Sequence, residues 1–214
     1  VDGEDAVGKK VTNEYVAEHL RGKKGTKVLL GIKRGKSDEL IEFEVVRDKI
    51  PLNSIDAAFM LDKNIGYIKL DRFAQTSMIE FEESLAKLKA QKMKSLVLDL
   101  RGNTGGYLNI AAELSNQFLK NDMTIVYTEG DKSPKQIFKT DRNGKFTDGK
   151  LVVLIDEGSA SASEIVSGAI QDWDRGVLIG RRSFGKGLVQ RPFNLPDGSV
   201  VRLTTARYYT PTGR

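Results

Sequence analysis

Apolar positions along the chain follow two spacings, that of a helix and that of a strand, and the two alternate. Residues 11–20 place their apolar side chains on one face of a short helix, with Thr12 as its N-cap. The strand-like runs 27–34 and 40–47 flank a turn and predict a β-hairpin. Residues 49–61 contain a proline and no clear period, so we interpret them as a linker.

From residue 62 onwards the pattern repeats strand, turn and helix. Strands are predicted at 65–70, 95–100, 123–128, 151–155, 176–180 and 200–208, and helices after 76, 106 and 160. Thr76 or Ser77 with Glu80 has the spacing of a capping box at the first of these helices. The polar stretch 133–149 carries Asn143-Gly144, a hairpin-turn signal. The alternation predicts an α/β architecture.

Two scarce residue types restrict the chemistry. The 214 residues include no cysteine and one histidine. Disulfides, cysteine-containing zinc sites, iron–sulfur clusters and thiol nucleophiles are therefore excluded. The one histidine, His19, lies beside the apolar face of the first helix, where a partly buried or surface position is expected. An enzymatic base in this chain is then expected to be Lys, Asp or Glu.

The net charge of +5 raises the question of nucleic-acid binding. Residues 1–50 hold 11 basic and 10 acidic side chains, and the remainder holds 23 and 19. Basic and aromatic residues are not interleaved, so we expect no nucleic-acid partner.

The chain starts at Val1 with neither an initiator methionine nor a targeting segment. We interpret it as a piece of a longer chain, whose missing signal says nothing about location.

Two strand-to-helix crossings can carry chemistry, because sites in α/β sheets form where strands end. The glycine-rich turn 101–106 directs backbone N–H groups toward a helix N-terminus, where an oxyanion is favoured. A tight turn that merely needs glycine is the alternative. In the turn 158–164, Ser161 is either an exposed nucleophile or the N-cap of a Ser-x-x-Glu box with Glu164.

Lys186 is the best candidate for a base, because it is isolated between Gly185 and Gly187. Its pKa would have to fall from ~10.4 to about 7, which requires ~4 kcal/mol of ammonium desolvation. A solvated loop lysine is the alternative.

The segment 180–186 also matches the first seven positions of a phosphate-binding P-loop. Gly187 then replaces the Mg²⁺-binding Ser or Thr and no helix follows, so we expect no nucleotide.

Three segments in order resemble the tail-specific, or C-terminal processing, serine peptidases: Asp99-Leu-Arg-Gly-Asn-Thr-Gly-Gly106, Glu157-Gly-Ser-Ala-Ser-Ala-Ser-Glu-Ile165 and Phe184-Gly-Lys-Gly-Leu-Val-Gln190. The resemblance covers essentially the whole chain. It implies a mixed α+β, crotonase/ClpP-like peptidase core. It also implies Ser161 as nucleophile, Lys186 as general base and Gln190 as the residue that supports Lys186. Positions four apart on a strand share a face, so Gln190 is expected to hydrogen-bond Lys186.

The resemblance further implies an oxyanion hole formed by the Ala162 N–H and one N–H of the Gly105–Gly106 turn, with Gly105 preferred. Three other serines near the motifs are then structural, namely Ser159, Ser163 and Ser183. No metal or other cofactor is expected. The implied substrates are unfolded or tail-exposed proteins, cleaved near their C-termini through an acyl-enzyme in an extracytoplasmic setting. Association into a homo-oligomer is left open. The alternative function is a catalytically inactive peptide-binding or scaffolding module of the same fold.

The resemblance also divides the chain into parts. Residues 1–48 resemble the C-terminal half of a PDZ domain, in the order helix, strand, strand. The carboxylate-binding loop of such a domain would lie upstream of Val1, and a weakly ordered N-terminal segment is expected. The linker 49–61 and the serine peptidase core 62–214 follow.

Overall fold

The computed structural model describes residues 1–4, 6, 12–35, 39–49 and 52–214, which form two compact units. The units are Val1–Leu52 and Asn53–Arg214.

The first unit holds one helix and one hairpin. Helix α1 spans Asn13–Leu20, and strands β1 (Lys27–Lys33) and β2 (Leu40–Val46) pair antiparallel, which confirms the predicted hairpin. The Thr12 side chain accepts the Tyr15 N–H at 3.2 Å, as an N-cap does. The predicted first residue of this helix and most of the predicted hairpin turn lie outside the described residues. His19 is half-buried as expected, and its ring stacks on that of Tyr15.

A five-stranded sheet forms the centre of the second unit. Its spatial order is β3-β4-β5-β8-β9, with β3 antiparallel to β4 and the other neighbours parallel. The bounds are β3 Ile55–Asp62, β4 Ile65–Leu70, β5 Ser95–Asp99, β8 Lys150–Ile155 and β9 Val177–Gly180. Parallel strands place their carboxyl ends at one edge, and this brings the turns after β5 and β8 together.

Four antiparallel strands form a second sheet in the order β10-β11-β6-β7. Their bounds are β6 Thr124–Gly130, β7 Ser133–Lys139, β10 Leu188–Asn194 and β11 Val200–Tyr209. Three helices complete this unit: α2 Ser77–Ala90, α3 Leu108–Asn116 and α4 Ala162–Asp172. No helix among the described residues is long and apolar enough to cross a membrane.

The core of this unit lies between the helices and the strands. Phe81 and Phe118 meet edge to face inside it, with ring centroids 5.8 Å apart. Most of α4 is buried, from Ala162 to Ile170. Because α4 is buried on most of its sides, its N-terminus, where Ser161 lies, is firmly placed.

Three expectations about local structure were wrong. Residues 49–61 were expected as a linker, but β3 occupies Ile55–Asp62, and two register shifts against β4 disturb the alternation that would have shown a strand. The expected hairpin turn at Asn143-Gly144 lies instead between Gly130 and Ser133, which face each other where β6 meets β7. The expected capping box at 76–80 does not form, because Glu80 accepts the N–H groups of Ser54 and Ile55.

Candidate active site

The two crossings singled out by the sequence contact each other. Strands β5 and β8 are parallel neighbours, and the turns that follow them share hydrogen bonds. The Asn103 carbonyl accepts the Ala160 N–H at 3.0 Å and the Ser163 hydroxyl at 2.8 Å. The buried Asn103 side chain also donates to the Leu70 carbonyl at 2.8 Å. The glycine-rich turn is thereby fastened both to the central sheet and to the turn that carries Ser161.

An ion pair at the end of β5 holds the start of the glycine-rich turn. The buried Asp99 carboxylate accepts the Arg101 guanidinium, at 2.6 Å for the shortest contact, and the Tyr67 hydroxyl at 2.7 Å. Burial raises the pKa of Asp99, but the hydrogen bonds from Arg101 and Tyr67 outweigh it and lower the pKa. The carboxylate therefore stays charged and keeps the turn in place.

Ser161 has a strained backbone. Its φ of 56° and ψ of −111° lie where non-glycine residues rarely occur, although it is the N-cap of α4 and most N-caps are extended. Such a conformation costs on the order of 1–3 kcal/mol and persists only where the surroundings impose it. Outliers of this kind cluster at functional sites, so the strain supports the nucleophile interpretation of Ser161 over a plain cap.

Gly105 packs directly against the Ser161 turn. With φ of +101°, a Cβ at this position would lie 2.7 Å from the Ala160 carbonyl oxygen and 2.8 Å from the Ser161 Cβ. Glycine is thus required twice, by the conformation and by the close approach. A turn that needs glycine only for its backbone conformation does not account for this close contact.

The backbone N–H groups near Ser161 differ in whether they are already bonded. The Gly105 N–H donates to Asn103 Oδ1 at 2.9 Å. The N–H groups of Ala162 and Gly106 find no acceptor within the described ranges of the chain. This pattern disfavours the expected preference for Gly105 as oxyanion donor, because its N–H is already engaged. The second expected glycine, Gly106, fits better.

Lys186 lies in a loop that is fastened at several points. Glycines with positive φ flank it, Gly185 at +82° and Gly187 at +55°. The Phe184 N–H donates to the Ser159 carbonyl at 3.0 Å, and the Gly187 carbonyl accepts the Tyr208 N–H at 3.1 Å. The first bond ties the loop to the turn before Ser161 and the second ties it to β11.

Glu164 joins the serine turn to the lysine loop. Its Oε2 accepts the N–H groups of Ser161 at 2.8 Å and Lys186 at 3.1 Å. Its Oε1 accepts the Gly185 N–H at 2.6 Å and the Ser183 hydroxyl at 2.9 Å. One carboxylate therefore holds both segments. The sequence interpretation assigned Glu164 to a capping box only and missed this second set of contacts, which come from residues about 20 positions away.

The same carboxylate has an altered acidity. Burial raises the pKa of Glu164, but the N–H donors of Ser161, Gly185 and Lys186 outweigh this effect, and the pKa lies below its ordinary value of 4.5. The Tyr208 hydroxyl lies 3.2 Å from Glu164 Oε2. Burial and the neighbouring carboxylate raise the pKa of Tyr208, so it remains a neutral donor.

A cavity of about 590 Å³ brings the expected site residues together. Ser161, Ala162, Gly106, Lys186 and Gln190 all contribute to its wall. The spacing argument for Gln190 does not hold, because Lys186 precedes β10, which begins at Leu188 and has a register shift between Val189 and Gln190. No hydrogen bond between Gln190 and Lys186 is present among the described residues.

The remaining serines have structural partners. The buried Ser159 hydroxyl donates to the Leu100 carbonyl at 2.8 Å, and that of Ser183 donates to Glu164. With Ser163 bound to Asn103, all three hydroxyls hold backbone or a carboxylate, as expected.

Nucleotide binding and metal binding each depend on a particular local arrangement of the chain. The segment after Gly187 is strand β10, so the helix that a P-loop needs is replaced by a strand. No cluster of three or more His, Asp or Glu side chains suited to a metal ion occurs in the part of the chain that the structure describes.

Comparison with known proteins gives a consistent result. A carboxyl-terminal-processing protease of Picosynechococcus sp. is 39% identical over 99% of this chain and 50% of its own length. The carboxy-terminal processing protease CtpA of Bacillus subtilis is 38% identical over the whole chain and 45% of its own length. The solved structure of a photosystem II D1 C-terminal processing protease superposes with a TM-score of 0.67 at 29% identity, over 99% of this chain and 57% of that one.

This chain spans about half the length of the curated relatives it matches. A family model matches residues 64–214, which include every motif residue of the site. The family model, the relatives and the fold agree: the chain belongs to peptidase family S41.

Proposed function

We propose that this protein is a serine endopeptidase that cleaves proteins near unstructured C-terminal tails. The observation that carries the proposal is the shared cavity wall of Ser161 and Lys186, whose segments the Glu164 carboxylate ties together. The relatives are carboxyl-terminal-processing proteases, and this supports the substrate class. Ser161 Oγ and Lys186 Nζ make no hydrogen bond to each other among the described residues, so their shared cavity and the family match, rather than a formed dyad contact, support the peptidase over the inactive binding module.

In the proposed mechanism a neutral Lys186 takes the proton of the Ser161 hydroxyl as Oγ attacks the scissile carbonyl carbon. The resulting oxyanion accepts the N–H groups of Ala162 and Gly106, which are free of other acceptors among the described residues. The intermediate collapses, the leaving amine takes the proton from Lys186, and an acyl-enzyme remains. Lys186 then takes a proton from water as the water attacks the ester carbonyl, and it passes that proton to Ser161 Oγ as the bond to the acyl group breaks and the carboxylic acid product leaves.

Gln190 is proposed to hold the Lys186 amine toward Ser161. Both side chains contribute to the same cavity wall, which supports the pairing. A Gln190→Ala variant is then expected to lose activity. A Gln190→Glu variant is expected to be slower than the wild type, because a carboxylate beside Lys186 favours its charged ammonium form.

Residues 1–48 are proposed to form the second half of a PDZ-like domain, which the order α1, β1, β2 supports. An extracytoplasmic location is likewise proposed from the family. Fractionation of the source cells with an antibody against this protein tests the location.

The experiment that tests the activity uses an unfolded protein with a free C-terminal tail. A matched substrate carries a folded domain fused to that tail. We expect the wild type to cleave near the free tail, as mapped by mass spectrometry, and to spare the fused substrate. Ser161→Ala should lower the rate about 10³-fold or more.

The control variant is Ser167→Ala, which changes a serine of the same helix that does not line the cavity. It should keep the wild-type rate. Undiminished cleavage by Ser161→Ala would refute the proposed nucleophile.

A further inference from the structure

The charged residues in the wall of the 590 Å³ cavity are all cationic. They are Lys186 and Arg202, and the other lining residues are apolar or neutral. The catalytic role proposed for Lys186 requires its neutral form. Arg202 has no such form, because a guanidinium is not deprotonated in proteins. The cavity therefore keeps one permanent positive charge during the proposed reaction.

The strand register places Arg202 on the cavity side of the second sheet. Gln190 pairs with Thr204, and Pro192 pairs with Arg202. Directly paired residues share a face of an antiparallel sheet, and Gln190, Pro192 and Arg202 all line the cavity. Two positions along a strand correspond to about 7 Å. Arg202 therefore lies about 7 Å from Gln190 along the cavity wall, which is about the length of two residues of an extended substrate peptide.

Several arginines of this unit have no side-chain acceptor among the described residues, namely Arg72, Arg182, Arg191, Arg202 and Arg207, and of these it is Arg202 that lines the cavity. The other arginines are held by partners. Arg101 pairs with Asp99 and Arg181 with Glu157, and Arg214 pairs with Asp172. The Arg202 guanidinium makes no ion pair or hydrogen bond with any residue that the structure describes. An unpaired guanidinium beside apolar walls is an open site for a planar anion, which it binds through two parallel N–H donors.

We propose that Arg202 binds a carboxylate of the peptide substrate and so contributes to the choice of cleavage position. The inference rests on the proposed endopeptidase function and adds a specificity residue to it. In a protein substrate the carboxylate comes from an Asp or Glu side chain or from the C-terminus itself. Arg202 lies two strand positions, about 7 Å, along the wall from Gln190, so the substrate charges to vary are those within about three residues of the scissile bond.

The test uses two kinds of peptide pair, both taken from the C-terminal tail of the unfolded protein substrate. Each pair of the first kind consists of one peptide with Glu and one with Gln at the same position. One such pair is made for each position up to three residues from the scissile bond. In the pair of the second kind, a free C-terminal carboxylate is exchanged for an amide. The readout is the ratio of kcat/KM for the charged peptide to that for its neutral counterpart, measured for wild type, Arg202→Gln and Arg202→Lys.

Arg191→Gln is the matched control. Arg191 precedes Pro192, the residue paired with Arg202, and it does not line the cavity. We expect a wild-type ratio of about 3 to 10 in at least one pair. The ratio should fall to about 1 in Arg202→Gln, stay intermediate in Arg202→Lys and keep its wild-type value in Arg191→Gln. The pair that shows the effect identifies the source of the carboxylate.

A wild-type ratio of about 1 in every pair, or an unchanged ratio in Arg202→Gln, would overturn the proposal. Peptide binding to Ser161→Ala, followed by fluorescence anisotropy, separates this inference from the proposed function. If the wild type cleaves no peptide, the proposed function fails, and the Kd ratio still decides the role of Arg202. Loss of that ratio in the Ser161→Ala/Arg202→Gln double variant supports the role, and its persistence refutes it.

Discussion

Glu164 Oε2 accepts the backbone N–H of Ser161 at 2.8 Å. The same side chain also holds the N–H groups of the lysine loop at 2.6 and 3.1 Å. A group that bonds both segments fixes their separation without touching a substrate. Glu164 is therefore a positioning residue, and changing it is expected to affect the proposed reaction through geometry.

The first prediction concerns the charge of Glu164. Glu164→Gln replaces one acceptor oxygen by an NH₂ group, which leaves N–H donors unsatisfied at a cost of about 1–3 kcal/mol. We expect kcat for proteolysis to fall about 10²-fold while KM changes little, because the change displaces Ser161 and Lys186 relative to each other and leaves the rest of the cavity wall in place. Steady-state kinetics on the tail substrate measure this split. Glu113→Gln, a change at an exposed glutamate of α3, should leave both constants unchanged.

The second prediction concerns acid stability. Because the pKa of Glu164 in the folded protein lies below its ordinary value of 4.5, the ionised carboxylate stabilises the fold. This contribution is complete above about pH 4.5 and is lost as the pH falls through the lower folded pKa. Urea unfolding between about pH 3 and 6 should show a smaller loss of stability toward acid in Glu164→Gln than in wild type. Equal pH dependence in the two proteins would contradict the pKa assignment.

The third prediction separates close approach from backbone conformation. Gly105 and Gly102 both have positive φ, at +101° and +74°, but a Cβ would have neighbours within 4 Å only at Gly105. Gly105→Ala should displace the Ser161 turn and lower kcat/KM about 10²-fold or more. Gly102→Ala carries only the conformational cost, about 1 kcal/mol, and should retain most activity. Similar losses in the two variants would show that contact with Ser161 is not the cause.

The fourth prediction concerns the Tyr208 hydroxyl. Tyr208→Phe removes one donor, at 3.2 Å, from a carboxylate that keeps its other partners. A loss of about 3- to 10-fold in kcat is expected, since one hydrogen bond to a charged group is removed. Tyr209→Phe is the control, because the Tyr209 ring stacks on Tyr127 and has no contact with Glu164. A larger loss in Tyr209→Phe would count against this network.

Strong local patterns predicted most of the fold. The parallel strands and α4 followed from apolar runs bounded by glycine-rich turns, because burial on both faces leaves such runs continuous. Strand β3 was missed since it is an edge strand held mainly by backbone pairing to β4, with two register shifts. Edge strands bury little, so their side chains carry a weak signal.

The candidate site was only partly predictable. Ser161 and Lys186 stood out through their small-residue surroundings, but the sequence has no signal for contacts across 20 or more positions. The bonds from Glu164 to the lysine loop are of this kind. The hydrogen bond that the Gly105 N–H donates to Asn103 Oδ1 was also missed, because it depends on the exact shape of the turn. Glu80 shows the opposite error, a capping box that was expected and does not form. The Ser-x-x-Glu spacing is the same there, but Glu80 accepts N–H groups at the start of β3.

The most direct test of the central claim, that Lys186 is the base for Ser161, is the rate of tail cleavage by Lys186→Arg. Arginine keeps the positive charge and the length of the side chain but cannot lose its proton in a protein. If Lys186 accepts the Ser161 proton, the rate falls about 10³-fold or more, as in Ser161→Ala. A Lys186→Arg protein that retains cleavage within about tenfold of wild type would contradict the account.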